Sequence, residues 1–302
     1  MAESVLALQS VSKSFRDVQA VCGLSVEVPG GCIYGFLGPN GAGKTTTLRM
    51  ILDIIRPDSG AIQVFGNRSA SDSKDRIGYL PEERGLYPKM RVRDVLVYLG
   101  RLKGLDKATA RTTVTRWLGT LDLGGWADRR VDDLSHGMQQ RLQFAAAVVH
   151  SPALLILDEP FSGLDPVNVE LVKAQILSLR DGGATVVLCT HMMEQAESVC
   201  DSILLIHSGR KVLDGRLDEV LKQDGAQAVM VELEGDAGFV RELPMVAEVT
   251  PSGREIVVVL KDGADDQVFL RSLLDRTRVR AFRPKVPTLR EVFVRAVKSA
   301  TG

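Results

Sequence analysis

The chain has 302 residues, 45% hydrophobic and 25% charged, with 38 Lys+Arg against 38 Asp+Glu. Such proportions belong to a globular protein, and the length asks for one large domain plus a smaller one. Balanced charge argues against a phosphate-backbone binder, so nucleic acid is not an expected partner, and no apolar run approaches the ~18 residues of a membrane-spanning helix. The longest candidate, 145–157, is interrupted by His150, Ser151 and Pro152. The opening Met-Ala-Glu-Ser-Val carries neither the basic nor the apolar region of a secretory signal, so no cleaved leader is expected. The four cysteines, Cys22, Cys32, Cys189 and Cys200, lack metal-ligand spacing and read as reduced thiols acting as small hydrophobes.

In chain order, residues 1–30 and 56–70 read as short strands with Gly/Pro turns at Pro29-Gly30-Gly31 and Pro57-Asp58-Ser59-Gly60, a small antiparallel sheet presenting Phe15. Between them Cys32–Leu37 is an apolar strand. It runs into Gly38-Pro39-Asn40-Gly41-Ala42-Gly43-Lys44-Thr45, a full G-x-x-x-x-G-K-[ST] phosphate loop. Its glycines let successive N–H groups converge on phosphate oxygens, Lys44 supplies charge to the β- and γ-phosphates, and the Thr45 hydroxyl can ligate Mg²⁺. A helix is expected next, with Leu48, Leu52 and Ile55 on one face until Pro57 stops it.

Residues 87–133 read as helix-rich and basic: nine Lys/Arg between Arg84 and Arg116 against Asp94 and Asp106. At 134–141, Leu-Ser-His-Gly-Met-Gln-Gln-Arg, Ser135 reads as a helix cap whose following N–H groups suit an anion. The helix behind it should bury Met138, Leu142, Ala145, Ala146 and Val149. Pro152–Pro160 is a continuous apolar strand ending in Asp158 and Glu159, the pattern of a parallel strand buried on both faces. Ligands of α/β folds gather at the carboxyl ends of such strands, so Asp158 is placed to hold Mg²⁺ and Glu159 to polarise an attacking water. A further strand, Ala184–Thr190, ends at His191, which is either structural or a partner of the γ-phosphate or that water.

The ordered motifs resemble the nucleotide-binding subunit of an ATP-binding-cassette (ABC) transporter over residues 4 to about 220. The resemblance implies an α/β P-loop NTPase domain over 1–222: a RecA-like core with an antiparallel β subdomain and an α-helical subdomain near 87–133. It further implies ATP and Mg²⁺ as cofactors. On it, Phe15 stacks on adenine, the reading favoured over a plain core residue. Gly38, Pro39, Asn40, Gly41, Ala42, Gly43, Lys44, Thr45 and Thr46 hold the phosphates. Ser135 and Gly137 belong to the family signature, Asp165 to the loop Ser162-Gly163-Leu164-Asp165, and Glu159, His191 and Lys44 carry catalysis. In this family two subunits pair head to tail, and the signature of one caps the nucleotide of the other, which gives the second anion site its use. The implied partners are therefore a second copy and transmembrane permease subunits, at the cytoplasmic face of the membrane.

Two departures stand out. His136 and Met138 replace a glycine and a glutamine of the signature, and Glu82 stands where the family has a metal-contacting glutamine. Glu82 keeps an oxygen ligand but adds negative charge. On the same resemblance part of the basic run faces the permease or anionic lipid, although such a run is usually a solvated face. Cassette ATPases of DNA repair insert long coiled coils before the signature and those of translation carry two cassettes; neither fits here. A P-loop kinase would leave the signature and His191 unused. From about 226 to 302 a small α+β domain is expected, with strands at 229–233, 247–250, 255–260 and 278–282, helical stretches at 236–243 and 265–276, and a last amphipathic helix bearing Leu289, Val292, Phe293 and Val297. It resembles the extension of bacterial sodium- and drug-efflux ATPase subunits, which implies export.

Overall fold

The computed structural model describes residues 4–67, 70–83, 85–223, 228–261, 263–285 and 287–301. Arg84 lies outside the described residues, as does the stretch 224–227 at the expected domain junction. The chain divides into two compact units, Met1–Leu217 with Phe293–Gly302, and Asp218–Val292.

The first unit opens with β1 (Ser4–Phe15), β2 (Val18–Pro29), β3 (Ile33–Leu37), α1 (Lys44–Ile51), β4 (Ser59–Val64) and β5 (Ile77–Leu80). Helices α2 (Val92–Leu102), α3 (Lys107–Thr120) and α4 (His136–Val148) follow. Then come β6 (Leu154–Asp158), α5 (Pro166–Asp181), β7 (Thr185–Thr190), α6 (Met193–Glu197), β8 (Ser202–His207) and β9 (Arg210–Arg216). β2, β1 and β4 form the expected antiparallel sheet. It turns Leu6, Leu8 and Val26 onto a core shared with Phe36, Leu48 and Ile156.

The central sheet runs β5-β6-β7-β3-β8-β9, parallel except for β9. Every residue of β3, β6 and β7 is buried. Both faces of these strands are covered, so their hydrophobicity is continuous rather than alternating. Each large aliphatic side chain so buried contributes about 1.5–3 kcal/mol. Register then fixes the site. Leu37 pairs with Thr190 and Asp158 with Cys189, so three strands end together at one edge.

Two helices differ from expectation. α1 stops at Ile51, because Asp53 turns left-handed at φ 57° and leaves Ile55 outside the helix well before Pro57. In α4, Leu142, Ala145 and Val149 are buried as expected, but Met138 and Ala146 are only half-buried, whereas Gln140, Arg141 and Gln143 are buried. The helix is packed by α2, α3 and β5, so no polar face remains.

The second unit holds α7 (Leu217–Gln223) from Asp218 onward, β10 (Ala228–Leu233), β11 (Val246–Ser252), β12 (Glu255–Leu260), α8 (Asp266–Leu274), β13 (Val279–Pro284) and the first turn of α9 (Leu289–Thr301). Its sheet runs β11-β12-β10-β13 with every neighbour antiparallel, the ferredoxin-like order. Only a short 3₁₀ segment, Gly238–Glu242, stands where the first helix was expected. Val231, Val258, Phe269 and Leu273 form its core.

Candidate active site

A cleft of about 570 Å³ lies at the edge where β3 and β6 end. Asn40–Thr46, Glu82, Asp158 and Glu159 line it, with Val18, Gln19 and Ala20 of β2 and Ser208 of the β8–β9 turn. Residues more than 100 positions apart thus meet around one volume.

The loop's shape follows from its glycines. Gly43 sits left-handed at φ 101°, and a Cβ there would lie 2.3 Å from the Ala20 carbonyl oxygen. No side chain caps α1, so the orphan N–H groups of its first turn remain for an anion. Lys44 is 6% exposed, and its Nζ donates to the carbonyls of Gly38 (2.7 Å) and Pro39 (3.1 Å). Gly38 and Pro39 therefore hold the lysine and do not line the cleft. Thr47 Oγ1 donates to the Gly43 carbonyl at 2.9 Å, locking the loop to the helix behind it.

Asp158 ends β6 at 1% exposure, and neither carboxyl oxygen has a hydrogen-bond partner among the described residues. Burial raises its pKa above the ordinary carboxylate value. Thr45 and Cys189 approach it and pull the other way without closing a bond of ordinary geometry, and the Glu159 charge adds to the rise. A buried carboxylate left without a partner is costly. Its acceptor-only oxygens beside the Thr45 hydroxyl and Glu82 make a hard-oxygen set that fits Mg²⁺.

Glu159 is the opposite case. It turns left-handed at φ 49°, while its N–H donates to the Cys189 carbonyl at 2.9 Å. One carboxylate oxygen accepts from Thr190 Oγ1 (2.8 Å) and the other from the His191 N–H (2.9 Å), with His191 Nδ1 at 2.7 Å. A carboxylate only accepts, so the short contact places a hydrogen on Nδ1 of His191. His191 thus stands behind Glu159 rather than in the cleft lining.

The other expected residues lie elsewhere in the unit. Phe15 is 48% exposed beyond the lining, with Lys13 Nζ 5.6 Å from its ring centre; its ladder partner Val18 is the residue that reaches the cleft. Ser135 caps α4, its Oγ accepting from the Met138 N–H at 3.4 Å, and Gly137 follows in the first turn. Asp165 caps α5, accepting from the N–H groups of Val167 (3.0 Å) and Asn168 (3.1 Å); the Asn168 amide in particular holds its carboxyl below the usual range. Sequence reasoning missed Gln19 and Ser208 in the wall and Thr190 behind Glu159. A Ser-Gly turn between two strands marks Ser208, whereas Thr190 looks like one more strand residue.

The chain is similar to known proteins along most of its length. An ABC transporter family profile matches residues 21–162, and a profile for the C-terminal domain of DrrA1-3-like ATP-binding proteins matches residues 215–297. The chain is 39% identical over 293 residues to the ABC transporter ATP-binding protein YhaQ of Bacillus subtilis (strain 168), covering 97% of this chain and 98% of that one. It is 36% identical over 280 residues to a Nod factor export ATP-binding protein I of Paraburkholderia xenovorans (strain LB400), covering 91% and 92%. Among solved structures, an ATP-binding subunit of an ABC transporter superposes with a TM-score of 0.68 at 29% identity, over 74% of this chain and 94% of that one.

Proposed function

This chain belongs to the ABC transporter ATP-binding family, and from that premise we propose that it binds MgATP between two copies of itself and hydrolyses it to drive a transmembrane permease. One observation carries the reading. The uncapped start of α1, the unpartnered Asp158 carboxylate and the firmly held Glu159 carboxylate all bound one cleft. Asn40–Thr46 cradle the triphosphate, and Lys44 leaves the loop carbonyls to meet it. Thr45, Asp158 and Glu82 hold Mg²⁺, which supplies charge neutralisation at the phosphates. Glu159 takes the proton of the attacking water while Thr190 and His191 fix its direction, a role worth about 10²–10⁴-fold in rate. Phe15 flanks the base. Ser135, Gly137 and Asp165 face the nucleotide of the second copy, where the start of α4 offers N–H donors.

The permease is a separate chain, consistent with the finding that among the described residues no helix is long and apolar enough to cross a membrane. Its docking is supported by an apolar cleft of about 260 Å³ between the segment after β5 and the helices, lined by Pro81, Leu86, Leu99 and Leu102. His150 borders it, its pKa pushed down to about 4 by burial. We place the subunit at the cytoplasmic face and, from its export-named relatives, in an exporter. The test is affinity purification from membranes. The wild-type chain should bring a polytopic membrane protein with it, and Lys44→Ala should lose ATP binding and turnover. Recovery of ribosomes or DNA instead would overturn the reading.

A further inference from the structure

Helix α4 has an unusual inner surface. Its polar side chains are tied chiefly to backbone, each donating to the carbonyls of a different segment. Gln139 Nε2 reaches Val131 (3.3 Å) and Leu134 (3.1 Å), and Gln143 Nε2 reaches Glu83 (3.1 Å). Arg141 Nη1 donates to Leu121 at 2.6 Å and lies 3.9 Å from the Asp122 carboxylate. Gln140, 4% exposed, donates to the carbonyls of both Glu159 (3.3 Å) and Pro160 (3.2 Å). An amide nitrogen has two hydrogens, and here each has a carbonyl of the turn that carries Glu159.

The first turn of α4 makes two more contacts with that turn. His136 lies against Gly163: a Cβ on Gly163 would sit 2.6 Å from His136 Cδ2 and 2.8 Å from Nε2. Gly163 is left-handed at φ 71°, so the loop presents bare backbone to the ring. On the next residue, a Cβ on Gly137 would come 3.5 Å from Leu164 Cδ2, an ordinary contact. His136, Gly137 and Gln140 therefore face Gly163, Leu164 and the Glu159–Pro160 carbonyls in succession. The Glu159 side chain is aimed from one side by Thr190 and His191, and its backbone is gripped from the other by Gln140.

We propose that Gln140 and His136 are positioning residues for hydrolysis, tying the start of α4 to the turn that aims Glu159. A phosphate seated on Ser135 and Gly137 then adjusts, within the same chain, the carboxylate that serves the other nucleotide. His136, a departure from the family signature, gives this chain a rigid ring where a glycine would leave a gap. The inference rests on the proposed roles of Glu159 and of the α4 start.

The test is steady-state ATP hydrolysis by the full chain, with nucleotide binding and melting temperature measured in parallel. Gln140→Leu removes both donors, and Gln140→Glu keeps the volume while setting acceptors against carbonyls. Both should lower kcat at least tenfold and leave KM for ATP within about twofold, because misplacement of a reacting group by about 1 Å costs on the order of 100-fold. Gly163→Ala should lower kcat in the wild type. In a His136→Gly background the clash with the ring is removed while the left-handed strain stays, so its effect should shrink measurably, as expected of residues in contact. Wild-type kcat in the Gln140 variants, or a fall that merely tracks lost ATP binding, overturns the proposal, as does an equal effect of Gly163→Ala in both backgrounds. Lys44→Ala separates the two levels: if it leaves turnover intact, the functional reading itself fails.

Discussion

Asp158→Asn should make the nucleotide-free protein more stable while abolishing its chemistry. Asp158 is 1% exposed and both oxygens lack partners among the described residues, so in the absence of metal the fold carries an unpaired buried carboxylate. An asparagine amide has the same shape, carries no charge, and offers one donor and one acceptor to Thr45 and Cys189, the groups that already approach the carboxyl. Leaving a buried polar group unsatisfied costs about 1–3 kcal/mol, more if charged. At about 3 °C per kcal/mol, the variant should melt roughly 3–9 °C above wild type at pH 7 in excess chelator. The sign with pH follows from the direction of the shift. Burial raises the folded pKa above the ordinary value of 3.8, so stability is lost as pH rises through the folded pKa, and the gap between variant and wild type should close on acidification below 3.8. With MgATP the order should reverse, because wild type gains the stabilisation of a bound ligand and the variant does not. Differential scanning fluorimetry across pH, with chelator or MgATP, reads all three. A variant that melts below wild type in chelator at pH 7 would refute the argument that Asp158 is held for a cation.

Gly43→Ala forces a Cβ to within 2.3 Å of the Ala20 carbonyl at a left-handed φ, a strain of about 1–3 kcal/mol. ATP affinity should fall at least about fivefold in a nucleotide titration, and unchanged affinity would mean the loop relaxes freely. Glu82→Gln should keep ATP binding and alter the magnesium dependence of turnover; an identical magnesium titration would remove Glu82 from the site.

The parts of this fold legible in the sequence were those set by short-range chemistry. The phosphate loop, the continuous apolar strands and their terminal acids each stand within about ten consecutive residues. The parallel character of the central sheet was legible in its continuous apolar strands, whereas strand order and register, which bring Asp158 and Thr190 beside the loop, emerged only from packing. Helix α4 was misread for a specific reason. Periodicity locates a buried apolar stripe, but Gln140, Arg141 and Gln143 are buried through bonds to distant carbonyls that no local pattern encodes. The wall residues Gln19 and Ser208 were missed on similar grounds, since they sit at element ends whose partners lie far along the chain. Asp53 ended α1 early because a left-handed residue needs no proline to stop a helix.

The most direct test of the shared-nucleotide account is sedimentation velocity of Glu159→Gln at saturating MgATP. The amide introduced by this substitution cannot accept a proton from water, so the ternary state should accumulate and the chain should sediment as a dimer. Lys44→Ala should remain monomeric under the same conditions. Single subunits of Glu159→Gln with ATP demonstrably bound, whether or not the permease is present, would contradict the account.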